Sequence, residues 1–122
     1  MALKGKQKFI GFAYAWQGIL FVIRNERNFQ LHLLAAVIVI LAGTLLHLSM
    51  LEWVVIIVAI TNVLITEMIN SALEAIMDYL SLQFHPAIKK IKDMAAGAVL
   101  IAAIAAAAIG CIIFIPKIIS IV

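Results

Sequence analysis

An all-α integral membrane fold is what this chain predicts, and three observations carry it. Of its 122 residues, 66% are hydrophobic and only 12% are charged, far from the balance of a water-soluble domain. Three long apolar runs, each near the ~20 residues that a bilayer crossing needs, alternate with short polar breaks. Eight of the nine Lys and Arg lie either before the first run or between the second and the third. A chain of this length makes one domain over 1–122, in which a surface helix precedes three membrane-spanning helices.

The first element is a helix over 7–24. Its aromatic residues (Phe9, Phe12, Tyr14, Trp16 and Phe21) and a narrow stripe of Gln7, Gly11, Tyr14 and Gly18 suit a helix lying in the membrane interface. The apolar part, Phe9 to Ile23, has 15 residues and is too short to span. A signal peptide would end in a small-residue cleavage site, whereas Arg24, Glu26 and Arg27 follow here. Residues 24–28 form a polar elbow that turns the chain into the first span, 29–48.

A tight connection around His47 to Met50 leads into the second helix, 51–80. Only its first ~20 residues fit inside the hydrocarbon, so it leaves the bilayer near Asn70. Residues 81–92 read as a polar loop holding Pro86, Lys89, Lys90 and Lys92, before a third span at 93–116 that Pro116 and Lys117 end. The alanines and glycines of that span allow helices to approach closely. Trp16 and Trp53 read as interface anchors, Asn62 as an interhelical hydrogen-bonding group, and His32 and His47 as interfacial or packing residues near span ends. The single cysteine, Cys111, sits in an apolar run and reads as a small core hydrophobe.

Charge placement sets the orientation. By the positive-inside rule the N-terminus and the 81–92 loop are cytoplasmic, and Lys117 with the C-terminus is outside the cell membrane. Glu52 then stands alone on the outer side as a solvated helix-end charge. The net charge of +3 is small, and no nucleic-acid partner is expected.

The informative stretch is Glu67 to Asp78, which holds three of the six acidic residues. On a helix Glu67, Asn70, Glu74 and Asp78 share one stripe, which crosses the depth of lipid head groups. Acids near lipid are costly and mark a site, or else a polar seam between helices. At that depth a lipid hydroxyl reaches Glu67, and partial desolvation suits this carboxylate to act as a general base near neutral pH. Two carboxylates suit a Mg²⁺-bound polyphosphate, and Glu26 with Glu74 is the natural pair. Lys89, Lys90, Lys92 and Arg24 offset phosphate charge. Phosphoryl transfer needs mainly positioning and charge neutralisation, and the chain has neither a P-loop nor a Gly-rich kinase loop. A small proton-coupled transporter is the alternative from another class, although no internal repeat supports it.

The run Glu67-Met-Ile-Asn-Ser-Ala-Leu-Glu74 resembles the E-x-[IL]-N-[ST]-A-[IL]-E signature of the small prokaryotic diacylglycerol kinase family. Tyr14-Ala-Trp16, Asn25-Glu26, Phe29, Phe84-His85 and Lys92-Asp93-Met94 follow in the family's order, so the likeness covers nearly the whole chain. The resemblance implies a Mg-ATP-dependent lipid kinase built as a homotrimer with active sites shared between subunits. It implies Glu67 as catalytic base, Asn70 orienting the base or the γ-phosphate, and Glu26 and Glu74 holding the metal of Mg-ATP. Tyr14, Lys92 and Asp93 match nucleotide-contacting positions, as do Gln83, Phe84 and His85 more loosely. Gln7 stands where some members carry a nucleotide-holding arginine, with Lys6 or Lys8 as its substitute; Asp78 is left to cap its helix or pair with a lysine. Arg27-Asn28-Phe29, His85-Pro86 and Ile115-Pro116-Lys117 resemble the Gram-positive branch, whose members include undecaprenol kinases. The implied reaction is undecaprenol to undecaprenyl phosphate, with diacylglycerol to phosphatidic acid as the alternative.

Overall fold

The computed structural model describes residues 5–80, 83 and 85–122, with side chains from residue 11 onward. These residues form four α-helices: α1 (Gly5–Asn25), α2 (Arg27–Leu45), α3 (Met50–Leu80) and α4 (Pro86–Ile121). Helices α2, α3 and α4 are each long and apolar enough to cross a membrane. Many of their large apolar side chains, Leu34, Val58, Ile101 and Ile112 among them, face outward, which only a surrounding of lipid or other apolar surface accommodates. The chain is a membrane-embedded helical protein.

The break between α1 and α2 is confined to one residue. Glu26 leaves the helical region (φ −104°, ψ 108°) as the N-cap of α2, while its own N–H still donates to Val22 O at 2.9 Å. Side chains satisfy the carbonyls that α1 leaves behind: Asn25 Nδ2 donates to Phe21 O, and Gln30 Nε2 donates to Ile23 O and Arg24 O. The elbow is thus tied from both helices, and the Glu26 carboxylate makes no capping hydrogen bond.

The turn between α2 and α3 is a Schellman motif with histidine in the usual glycine position. His47 adopts a left-handed conformation (φ 56°), its N–H donates to Thr44 O at 3.4 Å, and Leu48 N–H donates to Gly43 O at 3.2 Å. Leu48 then folds back over Gly43. A Cβ at Gly43 would lie 2.8 Å from Leu48 Cδ1 and 2.9 Å from Trp53 Cη2, so any larger residue forces one or both side chains to shift. A capping box starts α3: Ser49 N–H donates to Glu52 Oε1, and Glu52 N–H donates to Ser49 Oγ.

The most extensive packing joins α3 to α4, followed by α2 to α3 and α1 to α2. Lys92 pairs with Asp78 at one end of the antiparallel α3–α4 pair, and Lys117 pairs with Glu52 at the other, at 3.1 Å. These partners are 26 residues apart on α3 and 25 apart on α4, so the two helices stay in register throughout. The inward stripe of α2 is Phe29, Ala36 and Gly43, and that of α4 includes Val99 and Ala102. On α3 the stripe begins apolar with Ile56 and Val63 and turns polar at Glu67, Asn70 and Ser71.

Three expectations are corrected. Residues 86–92 are not loop; the helix that carries the third apolar run, α4, starts at Pro86, because proline at a first helical position loses nothing and its fixed φ suits the helix. His85 caps that start, its Nδ1 accepting from Ala87 N–H at 3.1 Å. Nor does Pro116 end the helix, which runs on to Ile121; proline is tolerated in membrane helices, and Lys117 just beyond it is anchored to α3. Glu52 is not solitary, since Lys117 and the Ser49 cap both hold it.

Gly43→Ala is expected to lower stability by about 1–3 kcal/mol through overpacking against Leu48 and Trp53. Denaturant titration in mixed micelles measures this, and an unchanged midpoint would mean that both side chains yield freely.

Candidate active site

The polar half of the α3 stripe is where chemistry is available. Glu67 is 3% exposed and Asn70 5%, both facing into the bundle rather than outward. At about 1.5 Å per residue Glu67 lies roughly 26 Å along α3 from its start, and Glu74 roughly 10 Å further. The acid is therefore nearly one bilayer core away from the α2–α3 turn.

The helical repeat links the members. Asn70 Nδ2 donates to Glu74 Oε1 at 3.2 Å, one turn along the same face. Its other polar atom, Oδ1, is buried without a hydrogen-bond partner. An orphaned acceptor of this kind costs about 1–3 kcal/mol unless a donor or cation meets it. The carboxylates of Glu74 and Glu26 stand within electrostatic reach of Glu67, so three acidic side chains from the elbow and α3 share one region. Across from Glu67 on α2, His32 Nε2 is 3.9 Å from Glu67 Oε2.

The remaining sequence candidates are exposed or paired among themselves. Tyr14 is on an exposed face of α1. His85 is spent on capping α4, and Gln83 is exposed in the connection before it. Lys92 pairs with Asp78, which answers the question of the acid's partner, and Asp93 pairs with Lys89 one turn away. Tyr14, His85, Lys92 and Asp93 make no hydrogen bond or ion pair with Glu26, Glu67, Asn70 or Glu74 among the described residues. Phe84 and the side chains of Lys6, Gln7 and Lys8 lie outside the described residues.

His32 is the member that sequence reasoning assigned to an interfacial or packing role. The signal was present: with Phe29 and Ala36 on the inward stripe of α2, position 32 falls beside that stripe by helical periodicity. It also borders an apolar cavity of about 190 Å³, lined by Ala35, Ala36, Val39, Val63 and Ala103 among others.

For Mg²⁺ the donors fit in kind. Among the described residues no three His, Cys, Asp or Glu side chains close into a metal-binding group. Mg²⁺, however, commonly takes one or two carboxylates, with phosphates and waters for the rest. The Glu26 carboxylate is uncommitted to the cap, Glu74 has an oxygen beyond its bond to Asn70, and Asn70 Oδ1 is a hard oxygen without a partner.

A bundle of apolar helices that gathers a buried acid, an amide and two further carboxylates in one region has the makings of an active site within a membrane protein. Comparison with known proteins gives the class. A family model described as prokaryotic diacylglycerol kinase matches residues 13–114. The chain is 41% identical over 109 residues to undecaprenol kinase of Bacillus subtilis, covering 89% of each chain. It is 39% identical over 112 residues to diacylglycerol kinase of Synechocystis, covering 91% of this chain and 64% of that one. To diacylglycerol kinase of Escherichia coli K12 it is 32% identical over 100 residues, 82% of each chain. The chain belongs to the prokaryotic diacylglycerol kinase family and is a lipid kinase, with ATP as the phosphate donor that the family implies. The transporter alternative is set aside by this finding.

Replacing Asn70 by leucine removes its bond to Glu74 and the orphaned acceptor together. Folding stability is expected to stay within about 1 kcal/mol, while phosphoryl transfer falls sharply. A large loss of stability would instead favour the plain polar-seam reading of this stripe.

Proposed function

We propose that the chain transfers the γ-phosphate of ATP to the hydroxyl of a membrane lipid alcohol, with undecaprenol as the acceptor and undecaprenyl phosphate as the product. The observation that carries this reading is the buried Glu67 with Asn70 and Glu74 following on the same face. Glu67 takes the hydroxyl proton as the lipid oxygen attacks the γ-phosphorus. The new O–P bond forms as the bond to the β–γ bridging oxygen breaks, ADP leaves with that electron pair, and the proton on Glu67 passes to solvent.

Glu26 and Glu74 are the residues that would hold Mg²⁺ against the phosphates. The ion supplies neutralisation of the charge that builds on the phosphoryl oxygens. Asn70 keeps Glu74 oriented and offers Oδ1 to the incoming groups. Tyr14, Gln83, Phe84, His85, Lys92 and Asp93 are proposed to border the nucleotide. In a homotrimer a neighbouring subunit can bring such groups to the acids, and the outward apolar faces of α2, α3 and α4 are available for assembly. The lysine-rich start of α4 and the basic N-terminal region support a cytoplasmic active site. Similarity to the Bacillus subtilis undecaprenol kinase favours undecaprenol, and similarity to the Synechocystis enzyme keeps diacylglycerol as the second candidate.

Purified enzyme offered undecaprenol and diacylglycerol side by side with ATP is expected to turn over undecaprenol faster; the reverse preference assigns it to diacylglycerol. Glu67→Gln is expected to lower kcat about 10²- to 10⁴-fold without altering assembly, and normal turnover in that variant would remove Glu67 as the base. Glu74→Gln is expected to raise the Mg²⁺ concentration needed for half-maximal rate, and an unchanged Mg²⁺ titration would argue against its role in holding the metal.

A further inference from the structure

Glu67 is approached by one side chain from another helix for which the reaction above has no use. His32 on α2 is half-buried, its Nε2 is 3.9 Å from Glu67 Oε2, and it also lines the apolar cavity between α2, α3 and α4. The imidazole therefore borders the acid and hydrocarbon-lined space at once. Apart from His32, that cavity is lined wholly by alanine, valine and isoleucine, so the imidazole is its one polar wall.

We propose that His32 is a positioning residue for the base: it holds the Glu67 carboxylate toward the side from which a lipid hydroxyl arrives. The inference rests on Glu67 acting as the base of lipid phosphorylation. Two features of the geometry support it. At 3.9 Å the imidazole is within electrostatic reach of the carboxylate but beyond hydrogen-bond distance, so His32 steers Glu67 without tying up the oxygen that must receive a proton. The contact is also cross-helical, because α2 supplies it, whereas Asn70 and Glu74 follow Glu67 along α3. Without His32, nothing else among the described residues that hydrogen-bonds or ion-pairs with Glu67 would fix which way the carboxylate turns.

The experiment compares wild type, His32→Leu and His32→Gln in the same detergent-lipid mixture, reading kcat, KM for undecaprenol, KM for ATP and the unfolding midpoint. His32→Leu is expected to lower kcat about 10- to 100-fold, the scale of a misplaced catalytic group, with KM for ATP within about twofold of wild type. His32→Gln, which restores a polar N–H near the same place, is expected to recover most of the lost kcat at a similar unfolding midpoint. Should the leucine variant not assemble, His32→Ala replaces it in the comparison with glutamine. The proposal is overturned if the apolar variant keeps kcat within about twofold of wild type, or if glutamine does no better than leucine. A loss appearing only in KM for ATP also overturns it. An inactive wild type would overturn the lipid-kinase site reading and this inference with it; an active wild type with an indifferent His32 overturns this inference alone.

Discussion

The register of α3 against α4 is the constraint on which the rest of the bundle depends. Two ion pairs fix it, Lys92 with Asp78 at one end and Lys117 with Glu52 at the other, over nearly equal lengths of helix. Exposed ion pairs contribute little to stability on their own. Here their value is geometric, since sliding one helix past the other breaks both at once. Small side chains do the rest: Ala102 is buried on the α4 side, and its lack of bulk lets the backbones come close. With that spacing held, the inward stripe of α3 runs continuously from Ile56 to Asn70, and the site becomes an extension of the core.

That continuity explains how a carboxylate survives in such a chain. An isolated charge facing lipid is costly, and Glu67 instead faces inward among polar neighbours from two helices. The same arrangement brings a cost within the site. Three acidic side chains share the region and Asn70 Oδ1 has no partner, so the polar end of the bundle is built for groups that arrive with positive charge or hydrogen-bond donors. In the proposed reaction a metal-bound nucleotide would supply the first and a lipid hydroxyl the second. The elbow contributes through its side-chain caps: Asn25 and Gln30 close the end of α1, which leaves the Glu26 carboxylate uncommitted to the cap.

The opposite end of the molecule is organised for closure. The left-handed His47, the glycine at 43 and the Ser49–Glu52 capping box make a turn with its backbone groups accounted for, and Lys117 ties α4 to the same place. Among the described residues the one buried side-chain polar atom without a partner, Asn70 Oδ1, lies toward the other end of α3, so the two ends of the bundle differ in what they leave unmet.

The helical membrane class, the number of apolar spans and the polar stripe from Glu67 to Glu74 were legible in the residues, because hydrophobic length and helical periodicity are properties of the local chain. The family was legible too, through a signature contained in eight consecutive residues. Helix ends were less so: Pro86 was read as part of a loop and Pro116 as a stop, when one opens α4 and the other is carried inside it. Proline restricts the backbone in the same way in all these settings, and only its neighbours in space tell which applies. The partners of charged groups were hidden for a similar reason. Glu52 with Lys117 and His32 beside Glu67 join different helices, as does Asp78 with Lys92, where the sequence offered a lysine but not which one; which charges meet is set by how the helices pack.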